Sequence, residues 1–158
     1  MIKFFIKISE INYGWTDITF ENGVENITMN VSYVLDGLDS LLEATYKLNT
    51  ISNESESSFF SEPDEYRIFL KNENNILKIQ IFYFKEKSFD TLEHIIHKGK
   101  LVFKIETNKK RFTNQVMDLF YYLLNTYGEN EYKKVWGNEF PKILYEKLRN
   151  LRITYDKN

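Results

Sequence analysis

A chain of 158 residues has the length of one domain, and surface scaling lets it bury about 70% of its unfolded area without staples. The absence of cysteine excludes a disulfide scaffold or thiolate metal site, and 42% hydrophobic with 16% aromatic residues excludes a disordered tail. A net charge of −2 argues against a general nucleic-acid binder, whose affinity rests on many cationic phosphate contacts.

No stretch approaches about 18 uncharged apolar residues, so no membrane span is expected. Met1 to Ile8 is too short and too lysine-interrupted for a signal segment, which predicts a cytoplasmic protein.

Ile2, Phe4, Ile6 and Ile8 alternate with Lys3, Phe5 and Lys7, the pattern of a half-buried strand. Thr16, Ile18 and Phe20 share one face of a second strand, and Asn22-Gly23 predicts a type I′ hairpin turn. The return strand presents Ile27, Met29, Val31 and Tyr33. Asp36 then reads as an N-cap ahead of a helix carrying Leu38, Leu41, Leu42, Thr45 and Leu48 on one stripe. Residues 49–58, including Asn53-Glu54-Ser55-Glu56-Ser57-Ser58, read as an exposed loop.

Strands resume at Phe59-Phe60, Tyr66 to Leu70, Ile76 to Phe84 and Leu101 to Ile105, with a turn at residues 72–75. Asp90 and Glu93 resemble a capping box before a short helical turn ending near Gly99. The last third changes period. Phe112, Val116, Leu119, Phe120, Leu123 and Leu124 face one way along a helix stopped by Gly128. Tyr132, Val135 and Trp136 mark a short helix closed by Gly137, and Pro141 opens a third with Leu144, Leu148 and Leu151 inward. The expected fold is α+β over residues 1–158: one antiparallel sheet of about six or seven strands with helices on one face.

Gly14-Trp15, Val31-Ser32-Tyr33 with Asp36 and Leu38, Arg111-Phe112, Tyr127-Gly128, Tyr132, Trp136 and Phe140-Pro141 with Leu144 stand in an order that resembles a widespread family of small uncharacterised single-domain bacterial proteins. Some of those relatives sit near polymorphic-toxin genes, so the resemblance implies an immunity-type role. It implies no catalytic residue, since its landmarks are aromatic, glycine and proline positions that specify a fold.

Catalytic and metal patterns are sparse. His94 and His97, with Glu93 beside them, share a helical face, but no third ligand follows at metal spacing and HExxH is missing. There is no Gly-x-Ser-x-Gly elbow or glycine-rich phosphate loop. Asp17 and Glu21 fall on one strand face with Thr19, the pattern of a solvated sheet surface. No enzyme, metal or cofactor is expected.

Charge is more informative. Residues 1–79 hold 6 Lys/Arg against 13 Asp/Glu, while residues 80–158 hold 15 against 10. Glu54, Glu56, Glu62, Asp64 and Glu65 cluster with no base between Lys47 and Arg67, a potential that would steer a cationic partner, although acidic loops also serve plain solubility. Lys98, Lys100, Lys104 and Lys109-Lys110-Arg111 form the opposite cluster. Cations at a helix N-terminus oppose the macrodipole by a few tenths of a kcal/mol, and solvated surface is the simpler reading.

Phe4, Phe20, Tyr33, Phe112, Phe120 and Trp136 fall on inward positions. Phe5, Phe69, Phe82 and Phe84 fall on the opposite sheet face and make either an exposed interface patch or a second core.

Two functions follow. The first is a non-enzymatic protein-binding domain, of immunity type, using Glu54, Glu56, Glu62, Asp64, Glu65, Phe69, Phe82 and Phe84 against a basic toxin-like protein, as a monomer or weak homodimer. The second is a small-molecule-binding domain or enzyme with a pocket lined by Tyr33, Tyr121, Tyr122 and Tyr127.

Overall fold

The computed structural model describes residues 3–86 and 99–157, with side chains through Arg152. The capping-box reading at Asp90 and Glu93 and the pair His94 and His97 lie outside the described residues.

Strands β1 (Phe5–Ile8), β2 (Trp15–Glu21) and β3 (Asn26–Ser32) form an antiparallel meander in the order β1-β2-β3. The alternation expected of them is present: Thr16, Ile18 and Phe20 are buried and stand opposite Val31, Met29 and Ile27. The Asn22-Gly23 reversal also forms, but it spans residues 22–25, and only Gly23 among them takes a positive φ. The Asn22 side-chain oxygen accepts the amides of Val24 and Glu25, an Asx-type closure that needs no type I′ backbone.

Helix α1 (Gly37–Thr50) starts where the cap predicts, with the Asp36 carboxylate accepting the Asp39 amide at 3.3 Å. Its buried stripe holds Leu38, Leu41, Leu42, Thr45 and Leu48.

The strand expected at Phe59-Phe60 is the end of a longer one, β4 (Glu54–Phe60), which takes in most of the segment expected as a loop. Serines occupy its inner face, so no apolar alternation shows. Ser55 Oγ donates to Ala44 O at 2.8 Å, and Ser57, 2% exposed, bonds Ser40 Oγ. Strands β5 (Glu65–Glu73), β6 (Ile76–Phe84) and β7 (Lys100–Thr107) complete a second antiparallel sheet, ordered β4-β5-β6-β7. Asn74 and Asn75, both at positive φ, make the tight β5–β6 turn, the geometry that Asn-rich two-residue hairpins favour.

The chain is therefore α+β with two antiparallel sheets of three and four strands, rather than a single sheet of six or seven. Side chains from the helices occupy edges that would otherwise pair. Ser40 of α1 accepts the Ser58 amide on the free edge of β4, and Ser61 Oγ, not a ladder bond, reaches Asn30 O of β3. Edge β1 is blocked in the same way, by Gln115 accepting the Ile6 amide and Arg111 donating to Phe4 O.

Helix α2 (Lys109–Trp136) begins on an Asn108 cap and loses helical geometry at Gly128, where the sequence places a stop. Helix α3 (Lys142–Lys157) follows Pro141. One apolar core joins both sheets to the helices, with Phe4 against Phe20 and Phe112, and Phe140 ringed by Phe120, Tyr132 and Tyr145.

Tyr33, expected inward, is 42% exposed because β3 ends at Ser32 and the ring lies between Gly14 and Gly137. A Cβ on Gly14 would overlap the ring, and one on Gly137 would stand 2.8 Å from it. Backbone bonds lock the arrangement: Tyr33 N donates to Gly14 O and Gly14 N to Val135 O, both at 2.7 Å. Trp136 Nε1 reaches Asp36 at 3.0 Å, tying the far end of α2 to the α1 cap.

Candidate functional site

The outer face of the four-stranded sheet gathers four of the eight residues singled out by sequence. Strand alternation turns Glu54 and Glu56 of β4, Phe69 of β5 and Phe82 of β6 to the same side, where they line a depression of about 560 Å³. Phe69 and Phe82 meet edge to face, with ring centres 5.6 Å apart. Lys71, Lys78, Gln80, Lys104 and Glu106 complete the lining. Of these five, sequence singles out only Lys104, in the basic cluster; the signal for the rest is alternation with the apolar residues of their strands, such as Leu77, Ile79 and Ile105, which sends them outward.

Electrostatically the depression has an acidic margin beside a lysine strip. Lys71 stands 3.5 Å from Glu54 and 3.1 Å from Glu73, and Lys78 is 3.8 Å from Glu73. The Glu73 hydrogen bond, with the fields of Glu73 and Glu54, raises the Lys71 pKa. Such exposed pairs are each worth roughly 0–1 kcal/mol, so a competing charge can replace them at small cost.

The other four lie toward the opposite end of the sheet. Glu62 is exposed in the β4–β5 turn, and Asp64 accepts the Tyr83 hydroxyl, an interaction that raises the Tyr83 pKa. Glu65 is fully buried, accepting Ser58 Oγ at 2.5 Å and pairing with Arg67 Nε at 3.0 Å. Phe84 is buried with Phe82 in a small cluster against which Phe69 packs. Phe5 stands apart from that cluster, with the Arg111 guanidinium 4.7 Å over its ring.

The tyrosines of the alternative reading do not converge. Tyr33 is clamped between glycines, Tyr127 accepts the Ile11 amide through its hydroxyl at 3.0 Å, and Tyr121 and Tyr122 are exposed on α2. Asp17 accepts Asn30 Nδ2 at 2.8 Å and Glu21 pairs with Lys7 at 2.9 Å, so each carboxylate holds a neighbouring strand. Among the described residues no group of three or more His, Asp or Glu side chains is placed to hold a metal ion, and no helix is long and apolar enough to cross a membrane.

The landmarks of the resemblance have structural duties. Gly14, Tyr33, Asp36 and Trp136 build the clamp; Tyr132 and Phe140 fill the core beside it; Arg111 caps the β1 edge. Burial raises the Asp36 pKa against the opposing hydrogen bonds from Trp136 and Asp39. Compared with family models, curated proteins and solved structures, the chain finds no match.

Proposed function

We propose that this chain is a protein-binding domain that seats a cationic protein partner on the outer face of its four-stranded sheet. The observation that carries the reading is the Phe69–Phe82 pair set in a depression whose β4 side carries Glu54 and Glu56, with Lys71, Lys78, Lys104 and Glu106 around the rest of it. Aromatic anchors surrounded by charge are how protein interfaces concentrate affinity, while rim charges govern encounter rate and register. Glu62 is exposed at the other end of the sheet, where Glu65, buried on the same outer face, holds Ser58 and Arg67 in place.

The resemblance gives this surface a biological use: an immunity-type protein that occupies a basic toxin domain. The experiment is co-expression with the protein encoded immediately beside it in its genome. The expected result is a 1:1 complex whose association rate falls at least tenfold between 20 and 200 mM salt, as about a Debye length of screening removes steering. A complex with a salt-independent on-rate, or none with that protein, would count against the reading.

A further inference from the structure

A second cavity, away from the sheet face, lies where three helices meet. Its walls are Asn49 from the last turn of α1, Lys109, Lys110, Thr113 and Asn114 from the first turns of α2, and Leu148, Leu151 and Arg152 from α3, enclosing about 300 Å³. Asn49 Nδ2 donates to Thr45 O at 2.8 Å and Thr113 Oγ1 at 2.9 Å, which fixes the polar wall. Leu148 and Leu151 make the opposite wall apolar.

Three cations converge on this space from two helices. Lys109 and Arg152 are half-buried, and none of the three forms an ion pair or hydrogen bond among the described residues. Charged side chains withdrawn from water are normally paired. Here three cations line one cavity, and α2 has no acidic residue in its first turn to offset them. Arg111, the neighbour in sequence, instead donates to Phe4 O and lies over the Phe5 ring, so among the described residues it is partnered where the cavity cations are not.

We propose that this cavity binds a small phosphate-bearing molecule with an apolar portion, such as a nucleoside monophosphate. Two ammonium groups and a guanidinium supply charge for a doubly charged phosphate, with Arg offering a planar donor fork. The leucine wall takes the apolar part, and the volume sits at the small end of the ligand-pocket range of ~300–1,000 Å³. Phosphate chemistry is favoured over a single carboxylate because three cations are two more than a monoanion would neutralise.

The test is thermal unfolding and calorimetric titration of the full chain with inorganic phosphate, pyrophosphate, adenosine monophosphate and citrate, each against sodium chloride of equal ionic strength. Adenosine monophosphate should raise Tm by about 5 °C or more at a hundredfold excess over Kd. It should bind at least tenfold more tightly than inorganic phosphate. The pair Lys110→Gln and Arg152→Gln should weaken binding at least tenfold without lowering the Tm of the unliganded chain, and Leu151→Asn should weaken the nucleotide and spare pyrophosphate. No shift beyond the chloride control overturns the site. Binding that survives the charge substitutions places the ligand elsewhere, and citrate matching or exceeding the nucleotide refutes the phosphate assignment. If the double variant fails to fold, Lys110→Gln alone, at an exposed position, must still weaken binding about threefold or more for the proposal to stand.

Discussion

The clamp around Tyr33 makes Gly137→Ala a sharp perturbation. Gly137 sits at φ 107°, where an alanine is strained by roughly 1–3 kcal/mol. Its new Cβ would stand 2.8 Å from Tyr33 Cδ2 and 3.1 Å from Cγ. The ring cannot step back freely, because its other face rests on Gly14, whose own Cβ position it already overlaps. Overpacking of this kind costs about 1–3 kcal/mol, so the total is roughly 2–6 kcal/mol, and Tm falls by about 4 °C or more for a chain of this size. The assay is urea unfolding of four proteins: the parent, Gly137→Ala, Tyr33→Ala and the double variant. With Tyr33 shortened, only the backbone strain remains, so the cycle yields a coupling of about 1–2 kcal/mol at constant m. Additivity to within about 0.5 kcal/mol would refute the clamp as described.

Other outcomes follow from single contacts. Ser40→Ala removes the acceptor of the Ser58 amide and should destabilise by about 1–2 kcal/mol, with faster hydrogen exchange at Ser58 than at amides paired to β5. Burial raises the Asp36 pKa, so the native state holds its proton more tightly than the unfolded chain. Stability then falls as pH rises from about 3.9 through the higher native pKa and levels off above it. Asp36→Asn, which keeps an acceptor for Trp136, should reduce that decline in pH-dependent urea unfolding, leaving the part due to Asp39, whose pKa burial also raises; an unchanged profile would refute the assignment. Lys109→Gln should stabilise the unliganded chain by a few tenths of a kcal/mol by denaturant midpoint, since Lys109 opposes the α2 dipole and pairs with no acidic side chain among the described residues.

The parts of the fold that sequence made readable are those in which one physical force acts alone. Apolar alternation placed β1, β2 and β3, a carboxylate three residues before a free amide placed the start of α1, and Gly128 marked the break in α2. Of strand β4 only the Phe59-Phe60 end was legible, because the inner face before it is satisfied by hydrogen bonds to α1, so Ser55 and Ser57 carry no apolar signal. The division into two sheets was hidden for a related reason: the groups that stop β4 from pairing further belong to Ser40, distant in sequence. The same alternation sorted the candidate site. Glu54, Glu56, Phe69 and Phe82 share a face; Glu65 stands on that same face but is buried at its far end, where it meets Arg67 and Ser58, a pairing that composition alone cannot express.

The central claim is that the outer sheet face carries recognition, and paired affinity measurements test it most directly. Phe69→Asp puts a charge beside Phe82 in the depression, while Tyr121→Asp alters an equally ordinary exposed aromatic on α2. Against the protein encoded beside it, Phe69→Asp should lose about thirtyfold or more in affinity, the loss of an interface anchor worth roughly 2 kcal/mol, with Tyr121→Asp unchanged. Parent-like binding by Phe69→Asp, or an equal loss in both variants, would contradict the account.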